Sequence, residues 1–515
     1  MLAALMLLEE SSKAQFTVGG NARVNANDFE ITTFATGLNF PLGMTLLPDS
    51  SLLAAVSSGS SFDGSTSGSL IRFVDNNDDG IADQQILLRQ NIPYGRLTAV
   101  RAAGKLVFVT GQARPITIYR LGLTLSDTLT EIGKMTITYT GSWLHLHSTL
   151  ALRPTPSVSN SFDLFFQLGS SANFAKTTAT LQFSSTRGPG GILHGDAVYM
   201  VRVVDYGDSV STSEPTQIAT GLRNAAGMAF HPETGDLYIQ DNGIDGLTDP
   251  NEPLSADELN IIPADSIGGS VEDFGFPNNY VAYRSGEFVG GQGIPPLVVF
   301  QPIPDPLTGA ESEGPNDIAF APPDFPSGLR KGIFIGFHGR YSLGGLANEE
   351  NPLVYVDLDS LKYFHFIGVD QPAIGHLDGV LATRHSLFLA DISPGGSLGT
   401  SGANTGVIYR IRKKEVAQNV ASTGAELPSS FMLLKAFPNP FNPSTEIQFS
   451  LPYRSHVTLT IFDLLGQEVM TLVSEELSAG SYSTRWDAVG FPSGVYLYRL
   501  TTDSFVETKK LVLIR

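Results

Sequence analysis

The chain has no cysteine among its 515 residues. This absence excludes a disulfide framework, a zinc site built on thiolates, an iron–sulfur cluster and a cysteine nucleophile. The stability of the fold must therefore come from packing, hydrogen bonds and bound ions.

Basic residues are scarce as well. Lys and Arg number 32 against 51 Asp and Glu, so the formal charge is −19 and the pI is about 4.8. A nucleic-acid backbone attracts clustered Lys and Arg, and this sequence contains no basic run. We therefore expect no nucleic-acid partner.

Apolar runs of membrane length are also missing. The run at Met1–Leu8 is followed at once by Glu9 and Glu10, whereas a membrane-spanning helix needs about 20 apolar residues. Residues 1–14 resemble the end of a truncated secretory signal segment, and a frayed N-terminus is the alternative. The sequence predicts no transmembrane segment.

What the chain does contain is short apolar strands separated by turns. Hydrophobic residues make up 42% of the chain, and 53 Gly and 31 Pro interrupt them. Between Phe29 and Lys413 the apolar residues follow the two-residue period of strands, with no long helical period. The predicted fold class is all-β.

The body of the chain is a repeat. The segments 37–48 (GLNFPLGMTLLP) and 221–232 (GLRNAAGMAFHP) share identities at fixed offsets, and looser copies begin near Gly95, His145, Gly314 and Gly375. Such a repeated four-strand unit is typical of a propeller blade, which is stabilised by stacking on its neighbours. We predict a six-bladed β-propeller over residues 29–413, with seven blades as the alternative, and a linker over residues 414–430.

The C-terminal segment has a different pattern. Prolines cluster in the run FPNPFNPST from Phe437 to Thr445, and alternating strands follow, which predicts a small antiparallel β-sandwich over residues 431–515. The PNPFNPST, IFDLLGQEV, SGVYLYRL and KKLVLIR runs closely resemble the type A sorting domain of the type IX secretion system. The resemblance implies that the secretion machinery is a partner and that the protein is secreted, released or attached to the cell surface.

A second resemblance lies in the body of the chain. The stretch from Ala219 to Ile262 contains the RN, FHPETG, DNG and DELN runs. This series is similar to the pyrroloquinoline-quinone (PQQ) sugar dehydrogenase family, in its sorbosone dehydrogenase branch. The runs LFFQLGSSAN from Leu164, GFHG from Gly336 and GVIYRI from Gly406 agree in order.

The resemblance implies an active site at the centre of the propeller. It makes His145 the general base, because an imidazole accepts a hydroxyl proton near neutral pH. The residues implied to contact the quinone are Arg223, Asn224, His338, Arg340 and His376. The residues implied as calcium ligands or loop clamps are Asp241, Asp257 and Glu258.

This sequence also departs from the family at several positions. Thr149 stands where the family usually carries Arg, His147 replaces an expected Gly, Ile244 follows the DNG run, and the family's HGSW is HGRY here. A quinone with three carboxylates needs several local cations, and the obvious suppliers are Arg223, Arg340 and His338 or His376.

A separate calcium loop is predicted at residues 75–83, with an exposed acidic hairpin as the alternative. Oxygen ligands stand at positions 1, 3, 5 and 9 of the run DNNDDGIAD, with Gly80 at position 6, and a backbone carbonyl is available at position 7. The glutamate expected at position 12 is replaced by Ile86, so the loop is of the short structural type. The predicted ligands are Asp75, Asn77, Asp79, Ile81 and Asp83.

Three functions follow from these features. The first is an exported PQQ-dependent aldose or pyranose dehydrogenase that uses His145. The second is a surface or matrix propeller that has lost the cofactor and binds a sugar or polysaccharide. The third and weakest is a calcium-dependent lactonase-type hydrolase using Asn224, Asn316 and Asp317. The sequence does not determine the oligomeric state.

Overall fold

A computed structural model describes residues 16–514, except for 94, 113–114, 249–251, 341–342, 349, 415–429, 465, 489–490 and 503–504. The proposed signal segment and almost all of the predicted linker lie outside the described residues. The chain divides into two compact units, with the boundary between Lys414 and Glu415.

The first unit is built from short strands that alternate buried and exposed side chains or are buried on both faces. Its first fifteen strands are β1 (Phe29–Leu38), β2 (Pro41–Leu46), β3 (Leu52–Ser57), β4 (Gly68–Val74), β5 (Gln84–Ile92), β6 (Leu97–Ala103), β7 (Leu106–Gly111), β8 (Ile116–Arg120), β9 (Thr130–Thr138), β10 (Leu150–Pro154), β11 (Ser161–Leu168), β12 (Thr180–Ser185), β13 (Gly188–His194), β14 (Ala197–Asp205) and β15 (Val210–Thr212).

The second half of this unit continues in the same way. Its strands are β16 (Thr216–Thr220), β17 (Gly227–Phe230), β18 (Leu237–Asp241), β19 (Asp257–Ile262), β20 (Glu272–Asp273), β21 (Tyr280–Val281), β22 (Phe288–Val289), β23 (Val298–Phe300), β24 (Pro315–Phe320), β25 (Gly332–Phe337), β26 (Leu353–Asp357), β27 (Lys362–Ile367), β28 (Gly379–Ala382), β29 (Ser386–Asp391) and β30 (Gly406–Lys413). Short 3₁₀ helices lie at Ala26–Asp28, Ser327–Leu329, Gly345–Ala347 and Thr400–Gly402.

These strands form six larger sheets, which we number in chain order. Sheet 1 is β2-β3-β4-β5, sheet 2 is β6-β7-β8-β9-β12-β13, and sheet 3 is β10-β11-β14-β16-β20 with β15 beside β14. Sheet 4 is β17-β18-β19-β23, sheet 5 is β24-β25-β26-β27, and sheet 6 is β28-β29-β30-β1. Sheet 6 therefore joins the last strands of the unit to its first strand, and β1 pairs antiparallel with β30.

The first strands of the six sheets lie side by side in a closed series. Strand β2 contacts β6, β6 contacts β10, β10 contacts β17, β17 contacts β24, β24 contacts β28, and β28 contacts β2. The apolar cores follow the same order, because each core is shared by two successive sheets. In β25, for example, Ile333 and Ile335 pack toward sheet 4 and Phe334 packs toward sheet 6.

The second unit contains two further antiparallel sheets. Its strands are β31 (Met432–Leu433), β32 (Ser444–Leu451), β33 (Ser455–Phe462), β34 (Glu468–Leu477), β35 (Gly480–Asp487), β36 (Gly494–Thr501) and β37 (Val506–Leu513). One sheet has the order β31-β32-β35 and the other β34-β33-β36-β37. Both contribute to one apolar core, in which Trp486 is fully buried. The predicted all-β class is confirmed for both units.

Candidate functional site

A buried aspartate fixes the loop that leads into sheet 4. Asp241 ends β18, and its carboxylate accepts hydrogen bonds from the backbone amides of Arg223, at 2.9 Å, and Asn224, at 2.6 Å. Burial nevertheless raises the pKa of Asp241 to about 7, since no cationic side chain compensates it fully. We call His145, Arg223, Asn224 and Asp241 the Arg223 cluster.

The guanidinium of Arg223 is already engaged. Its Nη2 donates to Asp245 Oδ2 at 2.6 Å and to Asn173 Oδ1 at 2.8 Å. The Arg223 side chain is only 3% exposed, whereas that of Asp245 is 64% exposed. The positive charge of Arg223 is therefore neutralised by the exposed carboxylate of Asp245.

His145 lies close enough to Arg223 to feel its charge. Its backbone amide donates to the Ser170 carbonyl at 3.0 Å, and its buried Nε2 has no hydrogen-bond partner among the described residues. Burial, with the charge of Arg223, lowers the pKa of His145 to about 3, so the ring is neutral at pH 7. The close approach requires Gly169, because a Cβ there would lie 2.5 Å from His145 Cβ.

Three acids form a second group, which we call the acidic cluster: Asp257, Glu258 and Glu313. Asp257 Oδ1 accepts from the Gly243 amide at 2.6 Å, and Asp257 Oδ2 accepts from the Gly314 amide at 3.0 Å. Glu258 pairs with Asp241 across β18 and β19, so these two acids face each other on neighbouring strands.

The acids of this cluster hold their protons unusually tightly. Burial, reinforced by neighbouring acids, raises the pKa of Asp257 to about 7, of Glu258 to about 8 and of Glu313 to about 9. One nearby acceptor oxygen, Asn260 Oδ1, is buried with no hydrogen-bond partner among the described residues, and the Glu313 carboxyl lies close to the Tyr283 hydroxyl. Buried acceptors without donors are the expected surroundings of a cation.

A third group, the histidine cluster, joins sheets 5 and 6. His338 Nδ1 lies 2.7 Å from Asp378 Oδ1, and Asn316 Nδ2 donates to the same oxygen at 2.6 Å. The rings of His338 and His376 stack with centroids 4.1 Å apart. Within the described part of the chain, only His338, His376 and Asp378 bring three ligand atoms within 4.8 Å of one another.

The two ring nitrogens of His376 both face carbonyl oxygens. Nδ1 lies 2.8 Å from the His338 carbonyl and Nε2 lies 3.2 Å from the Gly396 carbonyl. Burial lowers the pKa of His376 to about 4, helped by the charge of His338. A metal ion would have to displace these carbonyls from the ring, so the stacked geometry favours a hydrogen-bonded cluster over a metal centre.

Arg340 follows the histidine cluster in sequence, and its charge is also neutralised. Arg340 Nε donates to Glu350 Oε1 at 2.9 Å, and the Glu350 side chain is 8% exposed. Both residues line a cleft of about 500 Å³, to which Glu311 also contributes.

An ion pair that sequence reasoning missed links two distant sheets. Arg101 Nη2 in β6 donates to Asp317 Oδ1 in β24 at 2.9 Å. Strands β6 and β24 are three steps apart in the closed series of six. Charged residues inside otherwise apolar first strands were the available signal, but the pairing depends on a closure that local patterns do not encode.

The predicted calcium loop lies apart from these clusters, between β4 and β5. Asp75 Oδ2 accepts from the Gly80 amide at 2.9 Å, and the Asp79 amide donates to Asn77 Oδ1 at 3.1 Å. Asp83 Oδ2 accepts from the Asn76 amide at 2.6 Å. Ile81, the carbonyl position, donates its own amide to Asp79 Oδ1 at 2.9 Å.

Comparison with known proteins gives partial matches to this chain. An uncharacterised protein of Borreliella burgdorferi is 31% identical over 163 residues, which are 30% of this chain and 37% of that protein. The chain thus spans well under half of this curated relative. A calcium structure of Trichoderma reesei carbohydrate-active enzymes family AA12 is 17% identical, with a TM-score of 0.50, covering 78% of this chain and 99% of that one. This likeness shows the fold alone.

One more solved structure is similar over a larger share of the chain. PorZ, a surface component of the type IX secretion system of Porphyromonas gingivalis, is 12% identical and covers 94% of this chain and 53% of that one. Its TM-score of 0.29 is too low to support an argument about fold.

The second unit gives the clearest match. Residues 435–514 match the family described as secretion system C-terminal sorting domain, which confirms the prediction for this segment. No helix among the described residues is long and apolar enough to cross a membrane. The C-terminal segment is a sorting domain of the type IX secretion system, and the protein is exported, either secreted or attached to the cell surface.

Proposed function

We infer that the six sheets of the first unit are the blades of a six-bladed propeller. Three observations support this reading: the closed series of first strands, the apolar core between each pair of successive sheets, and a sheet 6 that combines both ends of the unit. The second unit, with two sheets around one core, corresponds to the predicted sandwich.

We propose that this exported protein binds a neutral sugar or polysaccharide at the Arg223 cluster, with calcium as the bound ion. The observation that carries the proposal is Phe174, whose side chain is 42% exposed directly after Asn173, the residue that holds Arg223. An exposed ring beside fixed polar groups suits a ligand with one apolar face and many hydroxyl groups.

The residues present do not fit PQQ. The quinone carries three carboxylates and needs several unpaired cations. Arg223 is engaged by Asp245 and Arg340 by Glu350, whereas His145 and His376 are neutral at pH 7. The acidic cluster supplies no positive charge, so the three carboxylates of the quinone would lack counter-charges at this site.

The buried acids of this region suit a divalent cation better than a trianion. Carboxylate and amide oxygens are the ligands that calcium prefers. Glu258 and the unpartnered Asn260 Oδ1 would supply two of them, whereas both oxygens of Asp257 already accept backbone amides. Calcium would replace the protons that these acids otherwise hold, and it would help to orient sugar hydroxyl groups.

A second candidate, the PQQ-dependent sugar dehydrogenase, is favoured by one observation. His145 Nε2 is buried without a partner beside Arg223, as a base waiting for a substrate hydroxyl would be. The third candidate, a lactonase-type hydrolase, is weakened because Asp317 pairs with Arg101 and Asn316 with Asp378.

Two measurements on the purified protein separate these candidates. The first is affinity electrophoresis through gels that contain dextran, xylan or glucomannan, with 2 mM calcium or with EGTA. We expect calcium-dependent retardation by at least one polysaccharide, reduced in Phe174→Ala. The matched control is Phe437→Ala, which removes an 81% exposed ring from the second unit.

The second measurement is titration with PQQ and calcium, followed by a dye-reduction assay with aldoses. We expect neither a bound-quinone spectrum nor dye reduction. A bound quinone together with His145-dependent dye reduction would overturn the binding proposal and establish the dehydrogenase. Absence of any retardation in all three gels would also contradict sugar binding.

A further inference from the structure

The exposed carboxylate of Asp245 lies on the solvent side of a buried cation. Its Oδ2 accepts from Arg223 Nη2 at 2.6 Å. The Asp245 side chain is 64% exposed, and the Arg223 side chain is 3% exposed. A guanidinium that is buried without a counter-charge is unfavourable, so an anion is needed beside Arg223. In this chain that anion is a residue of the protein itself.

The loop that carries Asp245 is held in place by its backbone. The Asp245 amide donates to Asn173 Oδ1 at 2.9 Å, and Asn173 Nδ2 donates to the Asp245 carbonyl at 3.0 Å. These two bonds do not involve the Asp245 carboxylate. The carboxylate is therefore left to pair with Arg223, and its removal leaves the bonds that fix the loop.

The other donors of Arg223 face the protein. Nε donates to the Asn173 carbonyl at 3.3 Å and Nη1 donates to the Asn242 carbonyl at 3.5 Å. The position of the Asp245 carboxylate is therefore the place where a carboxylate from solution would contact this arginine. The exposed ring of Phe174 directly follows Asn173, so this place adjoins the proposed sugar-binding surface.

We infer that Asp245 determines the specificity of this site by serving as its built-in counter-ion. While Asp245 is in place, a carboxylate from solution meets an arginine that is already neutralised and a second negative charge, whereas a hydroxyl group meets no like charge. The site should accordingly reject acidic sugars such as uronates and accept neutral ones. The choice of a sugar as the ligand rests on the proposed function, whereas the exclusion of anions rests on the ion pair.

The test compares two sugars that differ in one carboxylate, D-glucose and D-glucuronate. Asp245→Ala vacates the position beside Arg223. The matched control is Asp49→Ala, because Asp49 is a 41% exposed partner of another buried arginine, Arg72, whose side chain is 4% exposed. Asp49 lies between β2 and β3, and Arg72 lies in β4. Equilibrium dialysis of the full-length protein with each radiolabelled sugar, at neutral pH and with calcium present, measures the affinities.

We expect Asp245→Ala to bind glucuronate about ten-fold or more tightly than the wild type does, with glucose affinity nearly unchanged, because a carboxylate can then pair with Arg223. Asp49→Ala should bind both sugars as the wild type does. Equal glucuronate affinity in Asp245→Ala and the wild type would overturn the inference, and so would an equal gain in Asp49→Ala. If Asp245→Ala does not fold, Asp245→Asn, which removes only the charge, is judged by the same ratio.

A second readout does not depend on sugar binding. Sodium formate is a carboxylate small enough to replace the one removed, so it should raise the melting temperature of Asp245→Ala more than sodium chloride does, with no such difference in the wild type. A formate effect without retardation of the wild type by any polysaccharide would retain the counter-ion role and contradict sugar binding. Retardation without a formate effect would overturn the counter-ion role and leave sugar binding in place.

Discussion

The Arg223 cluster and the histidine cluster occupy equivalent positions in different sheets. The two regions differ in the direction in which the pKa values of their buried acids are shifted. In sheet 4, Asp241 at the end of β18 accepts from the amides of Arg223 and Asn224. In sheet 6, Asp391 at the end of β29 accepts from the amides of Gly375 and His376. Each of the two sheets therefore has a buried aspartate that fixes the preceding loop, which we call the clamp. The fixed loop carries Arg223 in sheet 4 and His376 in sheet 6.

The difference lies in what surrounds the acids. Asp378 has its pKa lowered despite its burial, because His338 and Asn316 contact its carboxylate. Asp257 accepts from two backbone amides and Glu258 accepts from Asn260 Nδ2 at 3.4 Å, yet burial raises the pKa of both acids. The carboxylate of Asp378 is therefore stabilised in its charged form by its donors, whereas Asp257 and Glu258 tend to hold their protons.

The clamps give the largest expected effect. Asp391→Ala would leave three buried amides, those of Gly375, His376 and Ser393, without an acceptor. We expect a loss of about 3–5 kcal/mol in the free energy of unfolding of the first unit. Asp241→Ala, which frees two amides, should lose about 2–4 kcal/mol.

Tryptophan fluorescence can follow this unit alone. The chain has two tryptophans, Trp143 in the first unit and Trp486 in the core of the second, so urea unfolding is measured in a Trp486→Phe background. Losses below about 1 kcal/mol for both alanine variants would show that the clamps are not structural.

The pH dependence of stability should distinguish the two regions. The acids with raised pKa hold protons in the native state that the unfolded chain releases, so without calcium stability falls as pH rises from about 4 toward 9. His145 and His376 have lowered pKa values and act in the opposite direction, favouring the native state as pH rises from about 4 to 6.5.

Above pH 6.5 the acids with raised pKa dominate, so we expect the calcium-free protein to lose several kcal/mol of unfolding free energy between pH 6.5 and 9. Calorimetry in EGTA measures the effect, and Glu258→Gln should make the decline shallower. A melting temperature that stays level from pH 6.5 to 9 would remove the basis for an acidic cation site.

Sequence patterns predicted the all-β class and the sorting domain because both depend on local signals: strand periodicity, turn residues and a dense proline run. They did not predict that Asp245 and Asn173 engage Arg223, or that Arg101 reaches Asp317. These pairings join residues far apart in the chain, whose approach depends on how the sheets close.

The histidine cluster provides a smaller test. Asp378→Asn keeps the shape of the side chain but removes the charge that His338 contacts. We expect a loss of about 2 kcal/mol in unfolding free energy at pH 6. Asn316→Ala, which removes one neutral donor to the same carboxylate, is the comparison and should lose about 1 kcal/mol. An equal or larger loss in Asn316→Ala would mean that charge contributes little here.

The smallest effect concerns the ion pair between sheets 2 and 5. A double-mutant cycle of Arg101→Met and Asp317→Asn should give a coupling energy of about 1 kcal/mol, since both side chains are partly buried at 18% and 11% exposure. Urea unfolding measures each variant. A coupling energy near zero would indicate that the two side chains do not pair across the closed series in solution.

The most direct test of the central claim is calcium titration calorimetry at pH 7, repeated in two buffers with different ionisation enthalpies and with PQQ present or absent. Calcium should displace protons from Asp257, Glu258 or Glu313. We predict net release of about one proton or more for the ion bound at the acidic cluster, lost in Glu258→Gln and unaffected by the quinone. Calcium binding without proton release, or binding that requires the quinone, would contradict the account.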